Sequence, residues 1–336
     1  MNDLEIPLTP LELVPKGVKR TLLRRIKETE DFVLEIDNSS LEYFNVCSRA
    51  AQHYLVDGKE KSDVRSSLIQ GGAHHKGQEI INRVGVSQES VKKGVNAIAD
   101  YYKEELPVIP EGEWRTPNRV IEDFEKYCKF YQTELWKVLE KDSNKLVEVP
   151  FAIPLGEVEF NGTPMNNGQN VGKIYVVWTG KVDLMIEWED QNWVVDHKTS
   201  SIKGEHWWNQ YTLSQPIIGY VWAAQRITGK PFVGAVINGI FLRKPSRTGV
   251  QVEFERRRFY YEPWRIMEWE KNTMVTVSDF LAHLKRGFFP QETVWCVGKY
   301  GLCQYFDVCT AAPQERKPIL DSPKYRDVTW SPLENK

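Results

Sequence analysis

Apolar positions recur at helical intervals through the first part of the chain and switch to a period of two after residue 145. Residues 1–38 read as an irregular or partly helical leader with a basic segment. Ser39 or Ser40 caps a helix predicted to run through Val56. A second helix is predicted over Ser67–Arg83, and a third over Ser87–Leu106 with Gly94 as a candidate break. Pro117 opens a strongly patterned helix to about Lys141, with Val120, Phe124, Cys128, Tyr131 and Leu135 on one stripe. Cys128 on that stripe reads as a core residue. Strands are predicted over Leu146–Leu155 and Lys173–Trp178, with a Gly-Asn-rich loop at 161–170 between them. An amphipathic helix over Glu205–Ile227, strands over Phe232–Lys244 and Val250–Tyr261, and a last helix from Pro263 to about Arg286 complete the pattern. Helices thus precede a sheet that helices then cover, an α/β arrangement around one core.

The most informative stretch is Gly180-Lys-Val-Asp183-Leu-Met-Ile, then Glu189-Asp190-Gln191-Asn192, then Trp193-Val-Val-Asp196-His-Lys198. Two apolar runs around a turn-forming tetrapeptide predict a hairpin. If Trp188 and Trp193 close the turn, Asp183 faces Lys198 and Met185 faces Asp196. Asp183, Asp196 and Lys198 then share one side, with Val182, Leu184, Ile186 and Val195 on the other, against the core. Two carboxylates and an ammonium on an apolar hairpin are costly to bury without a task. Two carboxylates hold Mg²⁺ or Mn²⁺, and a lysine beside the ion orients a water. Asp opposite Lys is equally an ordinary cross-strand ion pair, so the surroundings must decide.

Composition narrows the classes. The chain has 336 residues, 41% of them hydrophobic, and a net charge of −2. That balance excludes a chain that coats nucleic acid indiscriminately and leaves phosphate contacts to local patches. Two basic stretches, Lys16 to Lys27 (with Lys19, Arg20, Arg24 and Arg25) and Arg256-Arg257-Arg258, read first as solvated faces laced with ion pairs. No apolar run spans a bilayer, and the N-terminus lacks the regions of a signal peptide, so a cytoplasmic location is expected. Five cysteines in such a chain disfavour a disulfide framework. Three of them, Cys296, Cys303 and Cys309, crowd into fourteen residues.

Upstream of the hairpin, His75 and Glu79 are four apart on a predicted helix and share a face. His plus carboxylates suits Mn²⁺ or Mg²⁺. His74 competes for the same role, and a surface histidine is the plain alternative. Downstream, Gln215 and Tyr220 lie on the helix after the hairpin, with groups able to bond a phosphate or the lysine.

The ordered set His75-x-Gly-x-Glu79, Glu148 before a strand, Gly180-x-x-Asp183, Asp196-His-Lys198-Thr and Gln215…Tyr220 resembles the PD-(D/E)XK nucleases. More narrowly it resembles their RecB-type branch, which includes AddB-type and CRISPR-associated exonucleases and many phage nucleases. The resemblance spans Ser39 to Cys309 and implies a restriction-endonuclease-like core sheet flanked by helices, with an N-terminal helical region. It implies a leader over 1–38, the nuclease domain over 39–312 with a C-terminal cysteine cluster, and a tail over 313–336. It implies that His75, Asp183, Asp196 and the His197 carbonyl hold Mg²⁺ or Mn²⁺, that Lys198 positions the attacking water, and that Glu79 assists through water. Gln215 and Tyr220 match the family's Gln-x-x-x-Tyr element with one residue more between them. Cys47 resembles the N-terminal cysteine of the iron–sulfur members, and Cys296, Cys303 and Cys309 their C-terminal triplet, although the first gap is six residues where two is common. The resemblance therefore implies a [4Fe–4S] cluster, with a structural Zn²⁺ as the competing assignment. The function expected is a metal-dependent DNA nuclease, an exonuclease acting on ends or single strands in recombination, repair or phage DNA processing, with a recombination or helicase protein as partner. The alternatives are a non-catalytic nucleic-acid-binding subunit that keeps the fold, and a Mg²⁺-binding hydrolase of a non-nucleic substrate.

Overall fold

In the computed structural model the described residues are 23–26, 29, 31–63, 66–159, 172–244, 252–298 and 301–328. The principal elements in chain order are β1 (Leu23–Arg25), β2 (Phe32–Ile36), α1 (Asn38–Val46), α2 (Ser66–Val84), α3 (Gln88–Glu105), α4 (Pro117–Phe130), β3 (Val147–Glu159), β4 (Lys173–Trp188), β5 (Gln191–Ser200), α5 (Gln215–Thr228), β6 (Gly234–Leu242), β7 (Val252–Tyr260) and α6 (Pro263–Arg286). The order of helices around a mixed sheet is that of an α/β fold. Contacts divide the chain into two units, one of Val64–Val149 and Lys181–Ile266, the other of the residues up to Asp63, Pro150–Gly180 and Met267 onward. Strands β3 and β4 each run from one unit into the other.

The unit of Val64–Val149 and Lys181–Ile266 carries the predicted hairpin. Antiparallel pairing runs from Trp188↔Gln191 to Leu184↔Val195. The turn is therefore two residues, Glu189 and Asp190, both at positive φ (53° and 59°). Such a turn matches the right-handed twist of the strands it joins, so the flanking tryptophans do not set the turn as predicted. The register is shifted by two from the predicted one. An even shift keeps every side chain on its face, so Val182, Leu184, Ile186 and Val195 are fully buried as predicted. Strand β6 lies parallel to β5 and antiparallel to β7, with Asn238 beside His197 on one side and Arg256 on the other. Every residue of β6 is buried, which explains its unbroken apolar run.

Helices α2, α3 and α4 pack their apolar stripes into one cluster with Ile240 and Leu242 of β6. Gly94 does not break α3. A Cβ there would sit 2.6 Å from the Phe124 ring, and one at Gly77 of α2 2.7 Å from it, so both glycines admit that ring between three helices. Helix α5 packs on β5 and β6 and buries Ile217, Ile218, Val221 and Trp222. The predicted helix over 205–227 is in fact interrupted: Glu205–Asn209 is helical, Gln210–Leu213 is a 3₁₀ turn, and Ser214 is extended before α5. Pro216 explains the interruption, because proline suits only the first turn of a helix.

Helix α4 stops at Phe130 and does not reach Lys141; Leu135, predicted on its stripe, is exposed. Residues beyond it are drawn elsewhere. Glu134 accepts two bonds from Arg256 (2.7 and 2.9 Å), and Trp136 lies 3.8 Å from its guanidinium.

In the other unit the leader is not irregular. β1 and β2 form a hairpin, β2 lies parallel to the start of β4, and Leu34 and Ile36 are fully buried. Lys16, Lys19, Arg20 and Lys27 of the first basic stretch and the 161–170 loop lie outside the described residues. Helix α1 is capped by Asp37, whose carboxylate accepts from the Ser40 amide at 2.7 Å, and not by Ser39 or Ser40. It ends at Cys47, which is extended, before a short helix at Ser48–Ala51 and a π-turn at Gln52–Val56. Late residues close on these early ones: Arg49 Nε donates to Phe289 O (2.8 Å), Tyr305 Oη to Lys59 O (2.6 Å), and Tyr325–Asp327 pairs with Lys59–Lys61. Among the described residues no helix is long and apolar enough to cross a membrane.

Candidate active site

Helix α2 and strands β3, β4 and β5 converge at one place in the unit of Val64–Val149 and Lys181–Ile266. His75 comes from α2, Glu148 from the start of β3, Asp183 from β4, and one ligand atom of each lies within 4.8 Å of the others. His75 Nδ1 is 3.6 Å from Glu148 Oε1 and 3.5 Å from Asp183 Oδ2, while Nε2 is 3.0 Å from the His197 carbonyl oxygen. The His197 amide donates to Asp183 Oδ2 at 2.9 Å, which fixes that carboxylate where the ladder of β4 and β5 ends. Glu148 stands at φ +50°, a left-handed conformation that costs a non-glycine residue roughly 1–2 kcal/mol. Strain of that kind concentrates at functional sites; here it accompanies a carboxylate brought beside His75.

Two lysines flank the group. Lys198 Nζ lies 2.7 Å from Asp196 Oδ2, with the lysine side chain 40% exposed and the carboxylate 3%. Lys181 Nζ lies 2.8 Å from Glu148 Oε2. Glu79 takes Arg83 as partner one turn along α2, and Arg83 also donates to Val147 O (2.9 Å), tying α2 to the residue before Glu148.

The charges are strongly coupled. Burial disfavours a charged His75, but Asp183 and the hydrogen bond with Glu148 outweigh it and raise its pKa to about 9. Burial raises Asp183 to about 7; His75 opposes this, while the carboxylates of Asp196 and Glu148 reinforce it. Burial likewise works against a charged Glu148, yet His75 and Lys181 hold it down at about 2. Burial also opposes the charge on Lys198, and Asp196 and Asp183 overcome it and lift the ammonium above its ordinary value. A proton on His75 thus sits among carboxylates that a dication would neutralise.

Behind the group the His197 ring is buried and held by two amides. Its Nδ1 is 2.7 Å from Asn238 Nδ2 and its Nε2 3.2 Å from Asn82 Nδ2. Arg256 Nε donates to Asn238 Oδ1 (3.1 Å) and Nη2 to Tyr127 Oη (2.7 Å). The Asn238 amide therefore presents its NH₂ to His197 Nδ1, a neutral ring carries its proton on Nε2, and Asn82 accepts that proton with its amide turned so that Oδ1 faces the ring.

The profile of the PD-(D/E)XK nuclease superfamily matches residues 38–310. The chain belongs to that superfamily. Among solved structures, a candidate exonuclease from Eubacterium rectale is similar at 10% identity and a TM-score of 0.46, over 83% of this chain and 89% of its own. The protein SSO0001 is similar at 13% identity and a TM-score of 0.22, over 64% of this chain and 79% of its own. Among curated proteins none matches the chain.

As a PD-(D/E)XK nuclease, the chain has a donor set that fits a divalent metal. Two carboxylates and the imidazole Nδ1 suit Mg²⁺ or Mn²⁺, while the His197 carbonyl, at the other ring nitrogen, orients the imidazole. Of the residues expected from sequence, His75, Asp183 and the His197 carbonyl come together, with Lys198 and Asp196 alongside; Asp196 is outside the 4.8 Å group and Glu148 is inside it. Gln215 is exposed at the first position of α5 and Tyr220 is half-buried. Five apart on a helix, they point about 140° away from each other. His74 does not compete with His75: it is fully buried, and burial lowers its pKa to about 3. Lys181 was not singled out from sequence, although two residues from Asp183 on one strand is a same-face spacing. Asn82 and Asn238 carried no sequence signal at all.

The Arg256–Arg258 stretch is ion-paired as read, Arg256 with Glu134, Arg257 with Glu205 and Glu255, Arg258 with Glu189. Arg256, however, belongs to the interior. Trp208 and Trp222 are core residues, each 1% exposed.

Cys47, Cys296, Cys303 and Cys309 lie in the other unit, and no three of their sulfurs lie within 4.8 Å of one another. That limit is the spacing of donors around a single ion. A single zinc, with Zn–S of about 2.3 Å, needs sulfurs about 3.8 Å apart and is therefore disfavoured, whereas a [4Fe–4S] cluster sets its four thiolates on four separate irons, wider apart.

Proposed function

We propose that this chain is a metal-dependent deoxyribonuclease of the RecB-type branch, acting as an exonuclease on ends or single strands in recombination, repair or phage DNA processing. The observation that carries the reading is the His75/Glu148/Asp183 group with Lys198 and Asp196 at its side. His75, Glu148 and Asp183 would hold a divalent ion, which when bound would supply positive charge to the scissile phosphate and acidify a water. Asp196 keeps Lys198 charged and aimed, and the exposed ammonium orients the attacking water or meets the leaving oxygen. His75 must give up its proton for the site to load. The retained lysine and carboxylates favour an enzyme over a binding subunit.

End-labelled single- and double-stranded DNA, incubated with Mg²⁺ or Mn²⁺, tests the reading. Metal-dependent cleavage that falls about 10²–10⁴-fold in Lys198→Ala supports it. Cleavage indifferent to Lys198 sinks it. The [4Fe–4S] assignment for Cys47, Cys296, Cys303 and Cys309 also stays a proposal. It is supported by the shared unit and by the electrostatic influence of Cys47 and Cys296 on both Cys303 and Cys309. Iron and zinc content with a visible absorbance spectrum decides it, and colourless, metal-free protein purified without oxygen refutes it.

A further inference from the structure

A groove of about 700 Å³ opens in the unit of Val64–Val149 and Lys181–Ile266, between the end of α4 and the start of β7. Its apolar lining is Val252, Phe254 and Phe130. Phe130 is 63% exposed. Its ring stands 5.5 Å from Phe254 and 4.7 Å from Tyr131, centroid to centroid, so it is held from one side and bare on the other. Its charged lining is Lys126, Lys129 and Lys203 against one carboxylate, Glu253. Glu253 and Glu255 already hold Lys203 (2.9 and 3.0 Å). Lys126 and Lys129 are in no ion pair among the described residues.

Apolar ring faces and ammonium groups outside any ion pair are the two components of a single-strand binding surface. Bases stack on the rings, and phosphates follow the lysines. The groove also lies at the carboxyl end of β5, where α/β sheets take their ligands. Lys203 follows Lys198 by five residues, which span at most about 18 Å of chain. At 3.4 Å each, about five nucleotides reach across that upper limit.

We infer that this groove holds the single-stranded DNA substrate a few nucleotides from the scissile phosphate, with Phe130 as the stacking platform and Lys126 and Lys129 as phosphate contacts. The inference rests on the nuclease reading and names where its substrate lies. Phe130 and the two lysines are outside the catalytic group, so turnover of substrates too short to reach the groove is unaffected by changing them.

The test compares wild type with Phe130→Ala, Phe130→Trp and the double variant Lys126→Gln/Lys129→Gln. KM with Mn²⁺ is measured on fragments of about 4 and about 20 nucleotides, and affinity for the longer strand by fluorescence anisotropy without metal, over a range of salt. Phe130→Ala weakens the long strand at least about five-fold and leaves the short one unchanged, and Phe130→Trp restores it. The double variant lowers the salt dependence of log K by about 1.4. Unchanged long-strand affinity in all variants overturns the proposal while wild-type cleavage leaves the nuclease reading intact. Equal losses at both lengths, without rescue by tryptophan, also overturn it, since that is what a structural defect gives. Wild type that neither binds nor cleaves either strand removes both readings together.

Discussion

His75 is the residue on which the chemistry of the site turns. Held protonated by Asp183 and Glu148, with a pKa near 9, it occupies the charge position that a metal ion would take. Metal binding must then release protons from His75 and Asp183. The expected outcome is a Mn²⁺ affinity that climbs from pH 6.5 to 8.5, read by calorimetric titration at several pH values; a flat profile contradicts it. Asp183 carries a related expectation. Its pKa is raised to about 7 by burial, with added repulsion from Asp196 and Glu148. An acid whose folded pKa lies above its unfolded value destabilises the fold when it ionises, so the cost appears as pH rises through about 7. Asp183→Asn should raise the stability of the metal-free protein by roughly 1–3 kcal/mol at pH 8, and by less at pH 5. Thermal unfolding at the two pH values measures this, and a destabilised variant at pH 8 would show the reasoning wrong.

Elements meet here through a few exact fits. Phe124 of α4 enters the space that Gly77 and Gly94 leave open. Gly94→Ala should therefore cost about 1–3 kcal/mol through overpacking, although alanine is the better helix former. Urea denaturation checks the sign, since a neutral or stabilising effect would mean that α3 simply shifts. These elements were unequally legible in the sequence. Helix α6 was bounded correctly because Pro263 fixes its start and its pattern is strictly local. The end of α4 was not, because Glu134 and Trp136 answer to Arg256, some 120 residues away. The strand Phe32-Val-Leu-Glu-Ile lies within the span that reads as leader, since five residues are too few to establish a period. In the site, Asp183, Asp196 and Lys198 stood out as charges on apolar strands. Glu148 was visible only through the family resemblance, because its positive φ has no signature in an ordinary Val-Glu-Val sequence.

At the scale of the whole molecule, the unit that contains Cys47 is assembled from distant segments. Tyr305 and Val308 are fully buried in it, and Tyr325 nearly so. Removing the chain beyond Arg286 takes away these side chains, the partner strand of Lys59–Lys61 and the acceptor of Arg49. Such a truncation should lose its cooperative thermal transition for that unit or fail to stay in solution. Calorimetry of the truncated and full chains tests this, and two unchanged transitions would refute it. The same closure sets an order in time. Arg49 finds its acceptor 240 residues later in the chain, and at 5–20 residues per second a ribosome needs about 12–48 s to deliver it. For that interval the newborn protein carries Cys47 without the Glu292 amide that later donates to its sulfur, so the early segment waits, its apolar surface exposed, for the last part of the chain to be made.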